Sequence, residues 1–75
     1  LITPREVFVE AVKYRAVNLI LVHNHPGGDP SPSQADLDVT ERIYHCGELL
    51  GIHLLDHIII GDGKFSSMRE MDLID

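Results

Sequence analysis

The chain is short of cysteine, of clustered positive charge and of long apolar runs, and each shortage removes a class of function. A single cysteine, Cys46, stands among 75 residues, so no internal disulfide can form. That favours a reducing compartment, most simply the cytoplasm. It also excludes a zinc deaminase, whose signature needs His-x-Glu followed by Pro-Cys-x-x-Cys. The longest apolar stretch, residues 19–22, is far too short to cross a bilayer. The start of the chain lacks the basic region and apolar run of a secretory signal. There is no low-complexity tract and no internal repeat.

Six basic residues face twelve acidic ones, giving a formal charge of -6. The basic residues Arg5, Lys13, Arg15, Arg42, Lys64 and Arg69 are scattered. Nucleic-acid binding needs clustered Lys and Arg to displace counterions from phosphates, so direct binding by this segment is disfavoured. A basic domain elsewhere in a longer protein would change that. With 44% apolar and 24% charged residues, the composition is that of an ordinary globular domain. A domain this small buries a modest share of its surface and is marginally stable unless something staples it. The opening Leu1-Ile2-Thr3-Pro4 has no initiating methionine and reads as the interior of a longer protein.

Thr3-Pro4-Arg5-Glu6 has the form of a helix start, with Thr3 capping, Pro4 at the first helical position and Glu6 completing a capping box. Val7, Phe8, Ala11, Val12 and Tyr14 recur at helical spacing, and the helix is expected to end near Val17. The continuous apolar run 19–22 fits a strand buried on both faces; it leads into His23-Asn24-His25 and stops at Pro26. Residues 27–32 are all turn formers. A second helix is expected from Ser33, carried by Leu37, Thr40, Ile43, Tyr44, Gly47 and Leu50 and closed by Gly51. Cys46 falls mid-helix, where a small buried thiol is the usual role. Residues 54–60 read as another strand, Asp62-Gly63 as a tight turn, and residues 64–67 as a short returning strand. The tail, residues 68–75, reads as irregular or one helical turn. Helix, strand, helix, strand, strand is an α/β layer arrangement.

His23 and His25 are two apart on a strand, so both imidazoles lie on one face and Asn24 on the other. Strand ends are where open α/β sheets place ligands. Asp36 sits one turn into the following helix, and the short loop keeps that helix start near the strand end. Two imidazoles and a carboxylate suit zinc, and three protein ligands leave a fourth position for water, as in a catalytic site. His-x-His alone is a weak signal, and Ser33-x-x-Asp36 alone is an ordinary capping box. Their conjunction, His23-Asn24-His25-Pro26, then Pro30-Ser31-Pro32-Ser33, then Asp36, between a strand and a helix, carries the metal reading.

That string resembles the JAMM (MPN+) metalloprotease domain, and most closely the bacterial RadC family, through His23, His25, Pro26, Ser33 and Asp36. The wider similarity takes in Pro4-Arg5-Glu6-Val7-Phe8, Gly27-Gly28-Asp29-Pro30, Leu50-Gly51-Ile52, Leu54-Leu55-Asp56-His57 and Ile60-Gly61. The resemblance implies a JAMM/MPN-like (cytidine-deaminase-like) three-layer α/β domain. Residues 1–75 would be its C-terminal part, with further strands upstream. It implies Zn2+ held by His23, His25 and Asp36, with Ser33 stabilising the oxyanion, in a zinc-dependent hydrolase of peptide or isopeptide bonds. Manganese or iron suits the same ligands. The family's general-base glutamate lies on a strand before the first helix. Glu6 and Glu10 lie within that helix and do not match, so the 75-residue chain alone is expected to be inactive.

Two other functions compete. One is a catalytically inactive MPN-type binding module, although such relatives have usually lost the ligands that this chain keeps. The other is a DNA-repair-associated accessory protein, whose contact with DNA would come from a separate basic domain. The letters His-Asn-His also name a nuclease class, but that class draws its residues from separated positions. Asp56 and His57 face opposite sides of the later strand, and either one orients a zinc ligand or is an ordinary hydrogen-bonded strand residue. His45 and His53 read as exposed, Asp29 as solvated, and Gly27-Gly28 as serving the turn.

Overall fold

The computed structural model describes residues 2–74; Leu1 and Asp75 lie outside the described residues. Helix α1 (Pro4–Lys13) is followed by strand β1 (Asn18–Asn24), helix α2 (Gln34–Leu50), strand β2 (His53–Gly61) and strand β3 (Lys64–Ser67). The sheet order is β1-β2-β3, with β1 and β2 parallel and β2 and β3 antiparallel. This is the small α/β arrangement expected, two helices with a three-stranded mixed sheet.

Helix α1 starts as the sequence indicates, with the Thr3 side chain accepting from the Glu6 N–H. The Glu6 carboxylate accepts from the Thr3 hydroxyl, rather than from the Thr3 backbone as a full capping box requires. The helix ends at Lys13, four residues before the expected Val17. Arg15 takes the left-handed conformation (φ 56), its N–H bonds the Val12 carbonyl, and the Ala16 N–H reaches back to Ala11. That is a Schellman ending, which apolar spacing alone does not reveal.

Helix α2 matches the reading at both ends. Ser33 and Asp36 form a reciprocal capping box, and Gly51 closes the helix at φ 75. Between β2 and β3, Asp62 (φ 51) and Gly63 (φ 71) make the tight turn with two positive φ angles that an Asp-Gly pair favours. After β3 the chain turns once, with Met71 N–H bonding the Ser67 carbonyl and Leu73 N–H the Met68 carbonyl.

The core joins Phe8 of α1, Ile43 of α2, Leu21 of β1, Leu54 and Ile59 of β2, and Met68 beyond β3. Strand β1 corrects one expectation. Leu21 is buried, but Ile20 and Val22 are 55% and 61% exposed, so only one face of the strand is covered. Both helices pack into one core, and β1 stands at an edge of the sheet. Cys46 is only partly buried at the margin of that core, not enclosed as expected.

One irregularity positions the site. The β1–β2 register slips between Leu19, paired with Leu54, and Ile20, paired with Asp56. This bulge leaves Leu55 over, so Leu54 and His57, three apart, are both buried on the core side. Leu21 then pairs with His57, and His23 with Ile59. His57 therefore occupies the same face of the sheet as His23, one row deeper.

Candidate metal centre

The site forms where β1 ends against the start of α2. His23 is on the last turn of the strand's inward face, and its Nδ1 lies 2.8 Å from Asp36 Oδ1. His25 follows just beyond the strand, where its N–H bonds the Ile60 carbonyl at 2.8 Å and extends the ladder by one step. Its Nε2 lies 2.9 Å from Asp36 Oδ2, while its Nδ1 meets the Asp29 carbonyl at 2.8 Å. The two rings stand edge to face, 4.8 Å between centroids. Gly61 makes this possible, because a Cβ there would come within 2.5 Å of the Gly28 carbonyl oxygen in the turn behind His25.

Asp36 is the hub. It is 3% exposed, and Oδ2 accepts from both the Ser33 N–H at 2.8 Å and the Ser33 hydroxyl at 2.7 Å. Burial pushes its carboxyl upward, but the Ser33 bonds and His23 outweigh this and hold it at about 2. It is therefore a carboxylate throughout the neutral range. The Asp29 carbonyl acts most strongly on His25; desolvation opposes it next, but the Asp36 carboxylate adds to the carbonyl's effect and the pKa is raised. In His57, burial dominates and lowers it.

The structure brings His23, His25, Ser33 and Asp36 together, with each imidazole at hydrogen-bond distance from one oxygen of the same carboxylate. It adds His57. Coordinating atoms of His23, Asp36 and His57 lie within 4.8 Å of one another. The His23 and His57 rings are nearly parallel, 6.2 Å apart. Ser33, Asp36, His23 and His57 share the wall of a cavity of about 420 Å³ with Ile2 and Val39. Imidazole nitrogens around an ionised, buried carboxylate are the donor chemistry that zinc accepts, so the residues present fit such an ion.

The remaining candidates separate cleanly. Asp56 does not turn toward the site. Its carboxylate accepts from the His57 and Arg69 N–H groups and the Ser67 hydroxyl, tying β2 to the end of β3. Asp29 contributes its carbonyl to His25, while its side chain accepts from the Ser31 N–H. His45 is exposed, and His53 is half-buried against Glu48 and the Tyr44 ring. Thr40 carries only a helix-face signal in the sequence, yet its hydroxyl lies 2.7 Å from His57 Nδ1.

Comparison with known proteins places the chain in one family. Residues 1–73 match the model of the RadC-like JAB domain. A UPF0758 protein of a Geobacillus strain is 59% identical over 70 residues, covering 93% of this chain and 31% of the relative. A UPF0758 protein of Bacillus licheniformis is 60% identical with the same coverage. One of Clostridium perfringens is 53% identical over 74 residues, covering 99% of the chain and 33% of the relative. The chain thus spans about a third of the length of these relatives. Among the described residues, no helix is long and apolar enough to cross a membrane.

Proposed function

Since the chain belongs to the RadC-like JAB domain family, we propose that it is the metal-holding part of a zinc-dependent hydrolase of peptide or isopeptide bonds. The supporting observation is the Asp36 carboxylate, buried, ionised and flanked by His23 and His25. In this reading His23, His25 and Asp36 hold the ion. Zinc, when bound, acts as a Lewis acid toward water and the scissile carbonyl.

The other roles belong to the chain's own groups. The Ser33 backbone N–H and hydroxyl orient Asp36, and the Asp29 carbonyl fixes the His25 ring. The Ser33 hydroxyl lines the same cavity, and rotation away from Asp36 would let it donate to an oxyanion there. The resemblance to the JAMM domain implies that the group that takes and returns the proton is a glutamate outside residues 1–75; Glu6 lies in α1 with its carboxylate engaged by Thr3. The domain is one part of a single JAMM-type unit, in a protein of the bacterial cytoplasm.

The test uses the intact protein and a broad panel of peptide and isopeptide substrates. Cleavage is expected to stop with a chelator, return with zinc, and fall at least a hundredfold in His23→Ala. Full zinc occupancy with no cleavage across the panel would sink the hydrolase reading and leave a metal-holding binding module.

A further inference from the structure

We propose that the groove between α2 and residues 72–74 is a docking site for a short protein segment that carries an apolar side chain flanked by Lys or Arg. None of the residues lining this groove is His23, His25, Ser33 or Asp36, so the proposal stands whether or not the metal centre holds zinc.

The shape comes from one helix and one pinned stretch of chain. Leu37, Glu41 and Tyr44 stand four and three apart on α2, so they share one side of it. Asp36 and Val39, which line the metal cavity, are on the other side. From Gln34 to His45 the stripe is roughly 16 Å long, at 1.5 Å per residue. The opposite wall is Asp72, Leu73 and Ile74. That wall is fixed: Ile74 is buried in the core, the Leu73 N–H bonds the Met68 carbonyl at 2.9 Å, and the Asp72 N–H bonds the Arg69 carbonyl at 3.0 Å. The walls enclose about 480 Å³. An extended chain rises about 3.3 Å per residue, so about five residues lie along the groove.

The lining says what fits. Leu73 is 46% exposed, and Leu37 and Tyr44 are only partly buried, so the groove keeps apolar surface for an incoming side chain. The charged residues beside it are of one sign. Asp38, Glu41 and Asp72 line the groove, and no Lys or Arg does. The Gln34 amide donates to Asp38, but among the described residues no ion pair engages any of the three carboxylates. They repel an acidic partner and attract a basic one, so charge decides which segment approaches and apolar contact holds it. A second copy of this chain, with its formal charge of -6, brings the wrong sign, and so do the phosphates of a nucleic acid.

The probe is a library of random heptapeptides displayed on phage and panned on the intact protein. Enriched sequences are expected to place an aliphatic or aromatic residue next to Lys or Arg. Synthetic copies of the strongest should shift the methyl resonances of Leu37 and Leu73 in the native protein. They should bind the Asp38→Lys, Glu41→Lys double variant roughly tenfold more weakly and lose affinity in high salt. Panning that enriches no common sequence, or peptides without Lys and Arg, overturns the proposal. So do peptides that leave both methyl groups unmoved, or that bind the double variant as tightly as the native protein. Contacts from the Leu73 methyls to another part of the same protein, before any peptide is added, would make the groove an internal packing surface and also overturn it. The methyl spectra are those of the native protein, so they decide even where the variant does not fold.

Discussion

At the residue scale, Ser33 and Asp36 hold two jobs at once. Their capping box starts α2, and the same Ser33 groups hold Asp36 beside the histidines. Ser33→Ala is expected to cost about 1 kcal/mol of stability, as an N-cap loss does, measured by urea unfolding. If the hydroxyl also serves an oxyanion, the same change lowers kcat by roughly 10²–10³, whereas a purely structural Ser33 leaves kcat of the folded fraction unchanged. Asp56 gives a separate prediction in pH. Burial opposes its ionisation, but the Ser67 hydroxyl and the Arg69 and His57 N–H groups outweigh it and lower its pKa. A lowered carboxylate stabilises the fold above the ordinary value of about 3.9, and that share is lost as pH falls below it. Asp56→Asn should therefore be less stable at pH 7, with the gap to the native protein narrowing by pH 3. A gap equally wide at both would mean that its charge is immaterial. His23, His25, Ser33 and Asp36 were legible because their spacing maps directly onto a strand end and a helix cap. Thr40 was not, since a threonine on a helix face looks alike whether its hydroxyl faces solvent or a ring.

At the element scale, the order of helices and strands followed from apolar spacing, the Ser33 cap, Gly51 and the Asp62-Gly63 turn, all strong local signals. What escaped were features set by backbone detail. The Schellman ending at Arg15 needs a left-handed non-glycine residue, which sequence rarely announces. The β2 bulge decides that His57, and not Asp56, is buried beside His23. Ile58-Ile59-Ile60 is apolar at every position, so no alternation marks which face is inward. The site also relies on the close approach of two turns. Gly61→Ala would place a Cβ within 2.5 Å of the Gly28 oxygen, moving the turn behind His25. It is expected to cost about 1–3 kcal/mol, as overpacking does, and to weaken zinc binding. Unchanged denaturation midpoints and zinc affinity would show that the turn yields freely.

At the scale of the whole molecule, one small core supports the site from one side. Ile43, Leu54, Ile59 and Met68 are fully enclosed in it. Ile43→Ala should cost about 2–5 kcal/mol, a large share of what so small a domain has. Thermal unfolding would show it as a transition far below that of the native protein; a shift of a few degrees would mean that the core collapses around the cavity. The expectation of a strand buried on both faces failed for Ile20 and Val22 because nothing among the described residues covers the outer face of β1. Apolar composition reports what a strand could bury, not what lies over it. The central claim is that His23, His25 and Asp36 converge on one metal ion. Its most direct test is the metal content of the purified intact protein, by elemental analysis after incubation with zinc, beside a His23→Ala, His25→Ala double variant. About one site-bound zinc per molecule, absent from the variant, is the predicted result. No retained metal in the native protein, or equal metal in both, would contradict it.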